Sequence, residues 1–243
     1  MPHKITNNYS PNFSLPKRTR SDVKFIIIHY TGMKKEILAI KKLCDQKSKV
    51  SAHYFIKKNG EIWNLVPDMY IAWHAGKSSW KKCKSLNKHS IGIEIQNSGH
   101  DHGYENYSLK QIVSLKKLLK SLIEVYKINY KNILGHSDIS PDRKKDPGEK
   151  FPWKHLSKVK IGFWHNLNEI KLKKLRLIKL TIKEKKECLK KLNELGYAKI
   201  KNLKPDQNNK IIAKAFQRRF RQSLVNGILD QECLLISKNL LKS

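Results

Sequence analysis

The chain has 243 residues, of which 39% are hydrophobic, and a formal net charge of +31. This length and apolar content suffice for one large domain, or for a medium domain with a small appendage, and they argue against a disordered chain. The basic residues are 44 lysines and seven arginines, although arginine is the residue that reads phosphate and guanine bidentately. We therefore interpret the charge as a diffuse solvated coat, with attraction to an anionic polymer such as a cell wall as the functional alternative.

The cysteines and the beginning of the chain give little sign of export. Cys44, Cys83, Cys188 and Cys233 lack the short paired spacing of a zinc or redox motif, and we expect them to be reduced. The first ten residues lack an apolar export segment, and no apolar run approaches the roughly 18 residues of a membrane span. The sequence thus predicts no membrane span and a cytoplasmic location, with the periplasm or envelope as the alternative.

The first two thirds of the chain alternate between predicted strands and helices. Residues 1–20 are polar and interrupted by proline, which predicts a surface arm. Five short runs are typical of strands: residues 24–29, 51–56, 61–66, 90–97 and 131–134. The second and third flank Asn59-Gly60, a strong hairpin signal. In the fourth, isoleucines alternate with a polar face that includes Glu94, as in a sheet with one buried side.

Helical patterns complete the predicted architecture. Residues 35–47 carry apolar side chains at helical spacing, and Ser108 with Gln111 forms a capping box that opens an amphipathic helix. Residues 158–189 predict an unbroken helical stretch rich in lysine and leucine. Three further helices are predicted over residues 187–195, 210–222 and 230–241. The fold class is therefore α/β, with a mixed central sheet flanked by helices and a small C-terminal three-helix bundle.

Two histidines and an aspartate stand at positions where a packed core does not need them. His29 ends an apolar strand, and His136 and Asp146 lie in a turn-rich segment. Singly, each is more often a hydrogen-bonded structural residue or a turn former. Together with Glu94 and Lys144 they favour a catalytic metal site, because two imidazoles and one carboxylate leave zinc an open position for water.

Five segments carry a resemblance to a known family, in the same order along the chain. They are Ile27-Ile28-His29-Tyr30-Thr31, Val50-Ser51-Ala52-His53-Tyr54-Phe55-Ile56, Ala72-Trp73-His74-Ala75-Gly76, Ile91-Gly92-Ile93-Glu94 and the segment from His136 to Gly148. On these segments, which span about residues 24–153, the chain resembles the zinc-dependent N-acetylmuramoyl-L-alanine amidases of the Amidase_2 type. That group includes anhydro-muropeptide amidases, envelope amidases and peptidoglycan-recognition proteins.

The resemblance implies a ligand set and a reaction. It implies that His29, His136 and Asp146 bind one catalytic Zn²⁺, and that Glu94 and Lys144 serve catalysis. The implied reaction cleaves the amide bond between the lactyl group of N-acetylmuramic acid and L-alanine of the stem peptide, in peptidoglycan or muropeptides. Phage and animal relatives usually have cysteine where this chain has Asp146, which indicates the bacterial anhydro-muropeptide branch. Whether the sugar must be the 1,6-anhydro form stays open.

The resemblance also suggests three substrate-binding residues. His53 stands where relatives carry a histidine or tyrosine close to zinc, although core packing is equally consistent with it. Trp73 and His74 are expected to line the cleft and pack against sugar or peptide, with a hydrogen-bonded loop histidine as the alternative for His74. The remaining loop histidines match no motif and are expected at the surface: His89, His100 and His102.

The C-terminal segments are similar to the three-helix peptidoglycan-binding domain that often accompanies such amidases. The usual glycine-rich link is replaced by residues 202–209, so glycan binding and a purely packing role both stay open. The predicted organisation is an arm, a zinc amidase domain, a helical linker and a peptidoglycan-binding-like domain, over residues 1–20, 21–165, 166–181 and 182–243. Removing everything after about residue 180 is expected to spare hydrolysis of small muropeptides.

Three functions compete for this sequence. A zinc amidase accounts for all five site residues, whereas a non-catalytic peptidoglycan-recognition module would have lost ligands that are present here. Nucleic-acid binding is suggested by the charge and by Arg218, Arg219 and Arg221, but the sequence shows no base-reading element. The sequence therefore favours the amidase, with peptidoglycan or muropeptide as the partner and without specific nucleic-acid recognition.

Overall fold

The computed structural model describes residues 5–200 and 202–242. Its strands are β1 (Ile5–Asn7), β2 (Phe13–Ser14), β3 (Phe25–Tyr30), β4 (Tyr54–Ile56), β5 (Ile62–Asn64), β6 (Ile71–Ala72), β7 (Ser79–Trp80), β8 (Cys83–Lys84), β9 (Ser90–Ile95) and β10 (Ile133–Gly135). Six strands form a mixed sheet in the order β1-β5-β4-β9-β3-β10. The predicted hairpin is confirmed, because β4 and β5 pair antiparallel, while the other neighbours in this sheet are parallel.

The helices lie on both faces and at the C-terminal end of the chain. They are α1 (Glu36–Cys44), α2 (Leu109–Tyr126), α3 (His136–Ile139), α4 (Trp153–Ser157), α5 (Glu169–Leu175), α6 (Ile182–Leu195), α7 (Pro205–Phe220) and α8 (Gln231–Lys242). The predicted capping box of α2 is confirmed, with Ser108 Oγ accepting from Gln111 N at 3.1 Å. Within the described ranges, no helix is both long enough and apolar enough to cross a bilayer.

Both faces of the central strands are buried, which differs from the one-sided sheet that the alternation in β9 predicted. Ile26 and Ile28 of β3 pack with the leucines of α2, while Phe25 and Ile27 face the opposite way, toward α6–α8. On the polar face of β9, Ser90 is also buried. The reason is that β9 is a central strand, so elements distant in sequence cover its second face.

The predicted C-terminal three-helix bundle is confirmed, and it shares a core with the sheet. One cluster of buried residues contains members from β3 and β10 together with members from all three terminal helices: Phe25, Ile27, Leu134, Leu192, Leu195, Ile212, Phe216, Phe220, Leu234 and Leu240. An apolar core common to both parts means that neither part can be removed without exposing the other. This packing does not support the expectation that the chain can be shortened at residue 180 without consequence.

The segments around this bundle depart from the sequence predictions. The unbroken helix over residues 158–189 is wrong, because Gly162 adopts φ +69° and α5 begins only after Asn168, whose side chain caps it. Chain beyond α5 is partly extended, and Lys179 forms an isolated bridge with Asp230. At the other end, residues 5–7 of the predicted arm join the sheet as β1, paired with β5. Residues 1–4, 201 and 243 of the predicted arm and C-terminal domain lie outside the described residues.

Candidate metal centre

The sheet topology brings the three candidate ligands together from distant parts of the chain. His29 lies near the end of β3, directly opposite Glu94 in the register of β3 with β9. His136 is the first residue of α3, immediately after β10, the other parallel neighbour of β3. The carboxyl ends of neighbouring parallel strands meet at one edge of a sheet, which is where ligand sites of such sheets form. Asp146 reaches the same place from the loop after α3.

The three ligand atoms form a nearly equilateral triangle. His29 Nδ1 lies 2.9 Å from His136 Nδ1 and 3.0 Å from Asp146 Oδ2, and His136 Nδ1 lies 3.1 Å from the same oxygen. All three side chains are buried. Tetrahedral zinc with bonds of about 2.0–2.1 Å separates its ligand atoms by roughly 3.3 Å, so the triangle needs only a small expansion to hold such an ion.

The outer hydrogen bonds of the two imidazoles indicate that lone pairs converge in this triangle. His136 Nε2 lies 3.2 Å from the carbonyl oxygen of Ala75, which can only accept, so Nε2 carries the proton and Nδ1 is left as an acceptor. His29 Nε2 lies 3.1 Å from His74 Nδ1. When it donates there, His29 Nδ1 is likewise an acceptor. Two imidazole lone pairs and a carboxylate oxygen at about 3 Å need a cation between them.

His74 is itself oriented for accepting that hydrogen bond. Its Nε2 lies 3.2 Å from Ser90 Oγ, and Ser90 Oγ donates to the Leu86 carbonyl at 2.6 Å. The hydroxyl proton is therefore engaged, so His74 Nε2 donates to Ser90 and His74 Nδ1 is free to accept from His29. Each group in this series donates a hydrogen bond to the next: His29 to His74, and His74 to Ser90. The series fixes the tautomer of His29.

The charge states of the triangle suit a divalent cation. Burial, together with the neighbouring His136, lowers the pKa of His29 to about 4, so this imidazole is neutral at neutral pH. Burial alone would raise the pKa of Asp146, but the adjacent His136 and His29 outweigh it and hold that pKa well below its usual range. The negative charge of Asp146 and the neutral imidazole of His29 therefore face the site.

Glu94 is the unsatisfied polar group beside the triangle. Burial, reinforced by the charge of Asp146, raises the pKa of Glu94 to about 8. Its Oε2 is buried and has no hydrogen-bond partner among residues 5–200 and 202–242. A buried polar atom without a partner is uncommon in folded proteins and is frequent at reactive sites.

The triangle and Glu94 open into a cavity of about 420 Å³. Lys144 lines the same cavity, as do Trp73 and His74. Trp73 Nε1 donates to Ser14 Oγ at 2.7 Å, which fixes the indole in the wall. Together with the acidic Asp101, further cationic side chains line the same cavity: Lys42, Arg143 and Lys145. The cavity therefore contains both the candidate metal ligands and several cationic side chains, an arrangement suited to an anionic substrate.

His53 lies outside this cavity. Its side chain is fully buried, with Nδ1 accepting from Gly92 N at 3.0 Å and Nε2 lying 2.9 Å from Arg18 Nη2. Burial and the Arg18 charge lower the pKa of His53 to about 3. With no exposed surface, His53 fits the core-packing alternative and not direct contact with a substrate.

His100, which is expected at the surface, is half-buried and has a partner at each ring nitrogen. Its Nδ1 lies 2.8 Å from the hydroxyl of Tyr30 and its Nε2 lies 3.0 Å from Glu149 Oε2. The loop containing His100 folds back because the hydroxyl of Tyr104 donates to the Pro147 carbonyl at 2.7 Å. This contact joins two loops that are 43 residues apart, and no local sequence pattern predicts it.

Known proteins are similar to this chain in both sequence and fold. The family model described as N-acetylmuramoyl-L-alanine amidase, Amidase_2, matches residues 19–149. The amidase AmiD of Escherichia coli is 34% identical over 232 residues, covering 90% of this chain and 83% of AmiD. The 1,6-anhydro-N-acetylmuramyl-L-alanine amidase AmpD of the same species is 43% identical over 105 residues, covering 43% of this chain and 55% of AmpD.

Solved structures extend the similarity through the C-terminal helices. The Escherichia coli AmiD complex superposes with a TM-score of 0.80 and 32% identity, covering 94% of this chain and 92% of AmiD. AmpDh3 of Pseudomonas aeruginosa superposes with a TM-score of 0.79 and 31% identity, covering 98% of both chains. The family model, the identity to AmiD and these superpositions agree: the chain belongs to the Amidase_2 family of N-acetylmuramoyl-L-alanine amidases.

Proposed function

We propose that this chain is a zinc-dependent amidase that cleaves the bond between the lactyl group of N-acetylmuramic acid and L-alanine of the stem peptide. The observation that carries the proposal is the triangle of three acceptor atoms, open to a cavity and placed beside Glu94. The relatives support the substrate class, since the AmiD structure holds anhydro-N-acetylmuramic acid-L-Ala-D-γ-Glu-L-Lys and an AmpDh3 structure holds an anhydromuramic pentapeptide.

The donor set fits zinc better than the other common divalent cations. His29, His136 and Asp146 would hold the ion, and two imidazoles with one carboxylate suit zinc, whereas calcium and magnesium prefer oxygen-only sets. When bound, zinc lowers the pKa of a coordinated water toward neutrality and polarises the scissile carbonyl. His74 and the Ala75 carbonyl hold the two imidazoles in the tautomer that this role needs.

Glu94 is the group that we propose moves the proton. As the carboxylate it takes a proton from the attacking water while the water oxygen forms a bond to the lactyl carbonyl carbon. As the acid it delivers that proton to the alanine nitrogen when the carbon–nitrogen bond breaks. A pKa raised to about 8 by burial and by Asp146 favours the second step at neutral pH, and a bound cation favours the first.

Lys144 and Trp73 are proposed to act on the substrate directly. Lys144 carries a positive charge in the cavity wall, where it stabilises the negative charge that develops on the carbonyl oxygen. Trp73 offers an aromatic wall, held by its hydrogen bond to Ser14, against which a sugar or peptide packs. A glycan-binding role for α6–α8 is a separate proposal, supported by the similarity of their sequence to peptidoglycan-binding domains.

The reaction is tested by product analysis. Purified protein, stripped of metal and reloaded with Zn²⁺, is incubated in parallel with an anhydro-muropeptide and with intact sacculi, with and without a chelator. We expect mass spectrometry to detect free stem peptide in the zinc-loaded samples only. Release from the fragment alone would indicate a recycling amidase, and release from both would indicate a broader one. Absence of zinc-dependent release from both substrates would contradict the proposal.

A further inference from the structure

A buried carboxylate lies two residues after the candidate ligand His136, in the same short helix α3. Asp138 is 1% exposed. Its Oδ2 accepts from the backbone N–H of Gly135 at 2.8 Å and from Arg219 Nη1 at 2.5 Å. Its Oδ1 accepts from the hydroxyl of Tyr197 at 2.7 Å. Two of these three donors belong to the C-terminal part of the chain.

The arginine of this cluster is held by hydrogen bonds at both terminal nitrogens, while its buried Nε has no hydrogen-bond partner among the described residues. Arg219 of α7 is also 1% exposed, and its Nη2 donates to the carbonyl oxygen of Ile133 at 2.9 Å. Its guanidinium carbon lies 4.2 Å from the ring centroid of Trp153 and 4.9 Å from that of Phe163. One side chain therefore holds the first residue of β10 and the carboxylate of α3 at a set separation, and His136 stands between those two points.

Tyr197 reaches the same carboxylate from the turn after α6. Its ring packs edge-on against Trp80, with centroids 5.0 Å apart. This packing holds the ring in place and positions its hydroxyl beside Asp138. These contacts are buried and charge-assisted, so they tightly restrict the positions of the side chains that they join. Metal ligands need well-defined positions, because small displacements of a ligand lower metal affinity and reaction rate.

We infer that Arg219 and Tyr197 are positioning residues for His136, so that the C-terminal helices complete the metal centre in addition to any role in binding glycan. The inference rests on the proposed zinc site. In this chain the turn carrying His136 depends on α7 and on the turn after α6.

The experiment measures zinc affinity and local order in the full-length protein. The variants Tyr197→Phe and Arg219→Gln are compared with Tyr126→Phe, which removes a hydroxyl bonded to Asp68 at 2.8 Å, and with Arg221→Gln. Arg221 is likewise buried in a cluster of acidic residues near the end of α7, with Asp230 and Glu232, but it does not contact Asp138. Away from α3, these controls lose a hydrogen bond from a tyrosine hydroxyl to a carboxylate and a buried arginine–carboxylate pair.

We expect the zinc dissociation constant to rise about tenfold in Arg219→Gln and about fivefold in Tyr197→Phe, and to stay within twofold of the unmodified protein in both controls. Amide hydrogen exchange of the metal-free protein is expected to accelerate over residues 135–139 in the two test variants alone. Should Arg219→Gln fail to fold, Tyr197→Phe retains the ring packing and decides the question.

The outcomes separate this inference from the proposed function. Unchanged zinc affinity in Tyr197→Phe, or faster exchange without weaker zinc binding, would overturn the positioning role and leave only a structural contact. Failure of the unmodified protein to bind zinc would overturn it as well. An unmodified protein that binds zinc but cleaves no muropeptide would contradict the proposed function alone, and the affinities of the variants would still decide the role of Arg219 and Tyr197.

Discussion

Two buried polar clusters lie at either end of the four-residue helix α3, and they are built in opposite ways. The metal cluster, which comprises His29, His136, Asp146 and Glu94, points lone pairs at one another and leaves Glu94 Oε2 without a partner among the described residues. The interface cluster, which comprises Asp138, Tyr197 and Arg219, gives each oxygen of its carboxylate at least one donor and, within the described part of the chain, leaves only Arg219 Nε without a partner.

This difference distinguishes a reactive cluster from a structural one. Buried polar groups that satisfy one another specify a packing arrangement, whereas buried groups that remain unsatisfied cost stability unless a ligand completes them. We therefore expect the interface cluster to contribute more than the metal cluster to the stability of the metal-free protein. The metal cluster, in contrast, should be indispensable for activity.

Deletion of residues 181–243 is expected to have the largest effect, because it removes the partners of Asp138 and one side of the shared core. A domain is stable by only about 5–15 kcal/mol, and we expect the exposure of one side of a shared core to exceed that margin. We expect circular dichroism to show no cooperative melting of the shortened chain. A soluble fragment that melts cooperatively and cleaves muropeptides would instead show that the two clusters are energetically independent.

Substitution His136→Ala tests the metal cluster itself. We expect zinc binding and hydrolysis to be lost together, with a loss of affinity beyond the roughly 10–100-fold of an outer hydrogen-bond partner. The melting temperature of the metal-free protein should fall, because the buried ring and its hydrogen bond from Nε2 to the Ala75 carbonyl are lost. Zinc content by elemental analysis and a thermal melt provide the check. An active, metal-free variant would refute the ligand assignment.

Glu94→Gln separates proton transfer from metal binding. The amide has nearly the same shape as the carboxyl group but cannot exchange a proton with water, so turnover should fall by about 10²–10⁴-fold while zinc stays bound. Steady-state rates on an anhydro-muropeptide, measured at equal zinc occupancy, test this. Turnover within tenfold of the unmodified enzyme would exclude Glu94 as the proton carrier.

Asp138→Asn probes the interface cluster by the same isosteric logic. It leaves the charge of Arg219 buried without its counter-ion, and breaking a buried pair in this way typically costs about 3–5 kcal/mol of unfolding free energy. Urea denaturation of the metal-free protein measures the loss. A cost below about 1 kcal/mol would mean that the interface cluster has little structural importance, and the contrast with the metal cluster would fail.

The smallest expected effect is a pH dependence of stability in the metal-free protein. The pKa of Glu94 is raised to about 8 by burial, so the folded state holds a proton that the unfolded chain releases near its ordinary pKa of about 4.3. Stability contributed by this proton is fully present below that lower pKa and is lost as pH rises toward 8. Glu94→Gln should therefore gain stability relative to the unmodified protein between pH 5 and pH 8, by a few kcal/mol at most. Thermal melts of both proteins at pH 5 and pH 8 test this. The prediction would be contradicted if the stability difference between Glu94→Gln and the unmodified protein did not grow with pH.

Much of the site could be predicted from the sequence because its residues stand at the ends of recognisable elements. The apolar run before His29, the alternation around Glu94 and the turn-rich segment after His136 each report a local pattern. The sequence identified these elements, and the parallel pairing of β3 with β9 and β10 brought their ends to one edge.

Two of the misses share a cause: His100 and the second buried face of β9 depend on contacts with segments far along the chain. The non-helical stretch around Gly162 instead follows from local features, the positive φ of the glycine and the Asn168 cap. Hydrophobic periodicity reports only which side of an element is apolar, and it carries no information about what covers the other side. His53 shows the same limit, because its motif is shared with the metal site while its ring is enclosed beside Arg18.

The sequence by itself determined the chemistry of this protein: two imidazoles, two carboxylates and a lysine on elements whose type can be read locally. Only the tertiary structure decided which buried carboxylate is satisfied and which stays reactive. Asp138 and Arg219 are 81 residues apart, and their pairing depends on how α7 packs against the sheet. The physical reason is that propensity and capping act over a few residues, whereas burial and hydrogen-bond partners are set by the assembled core.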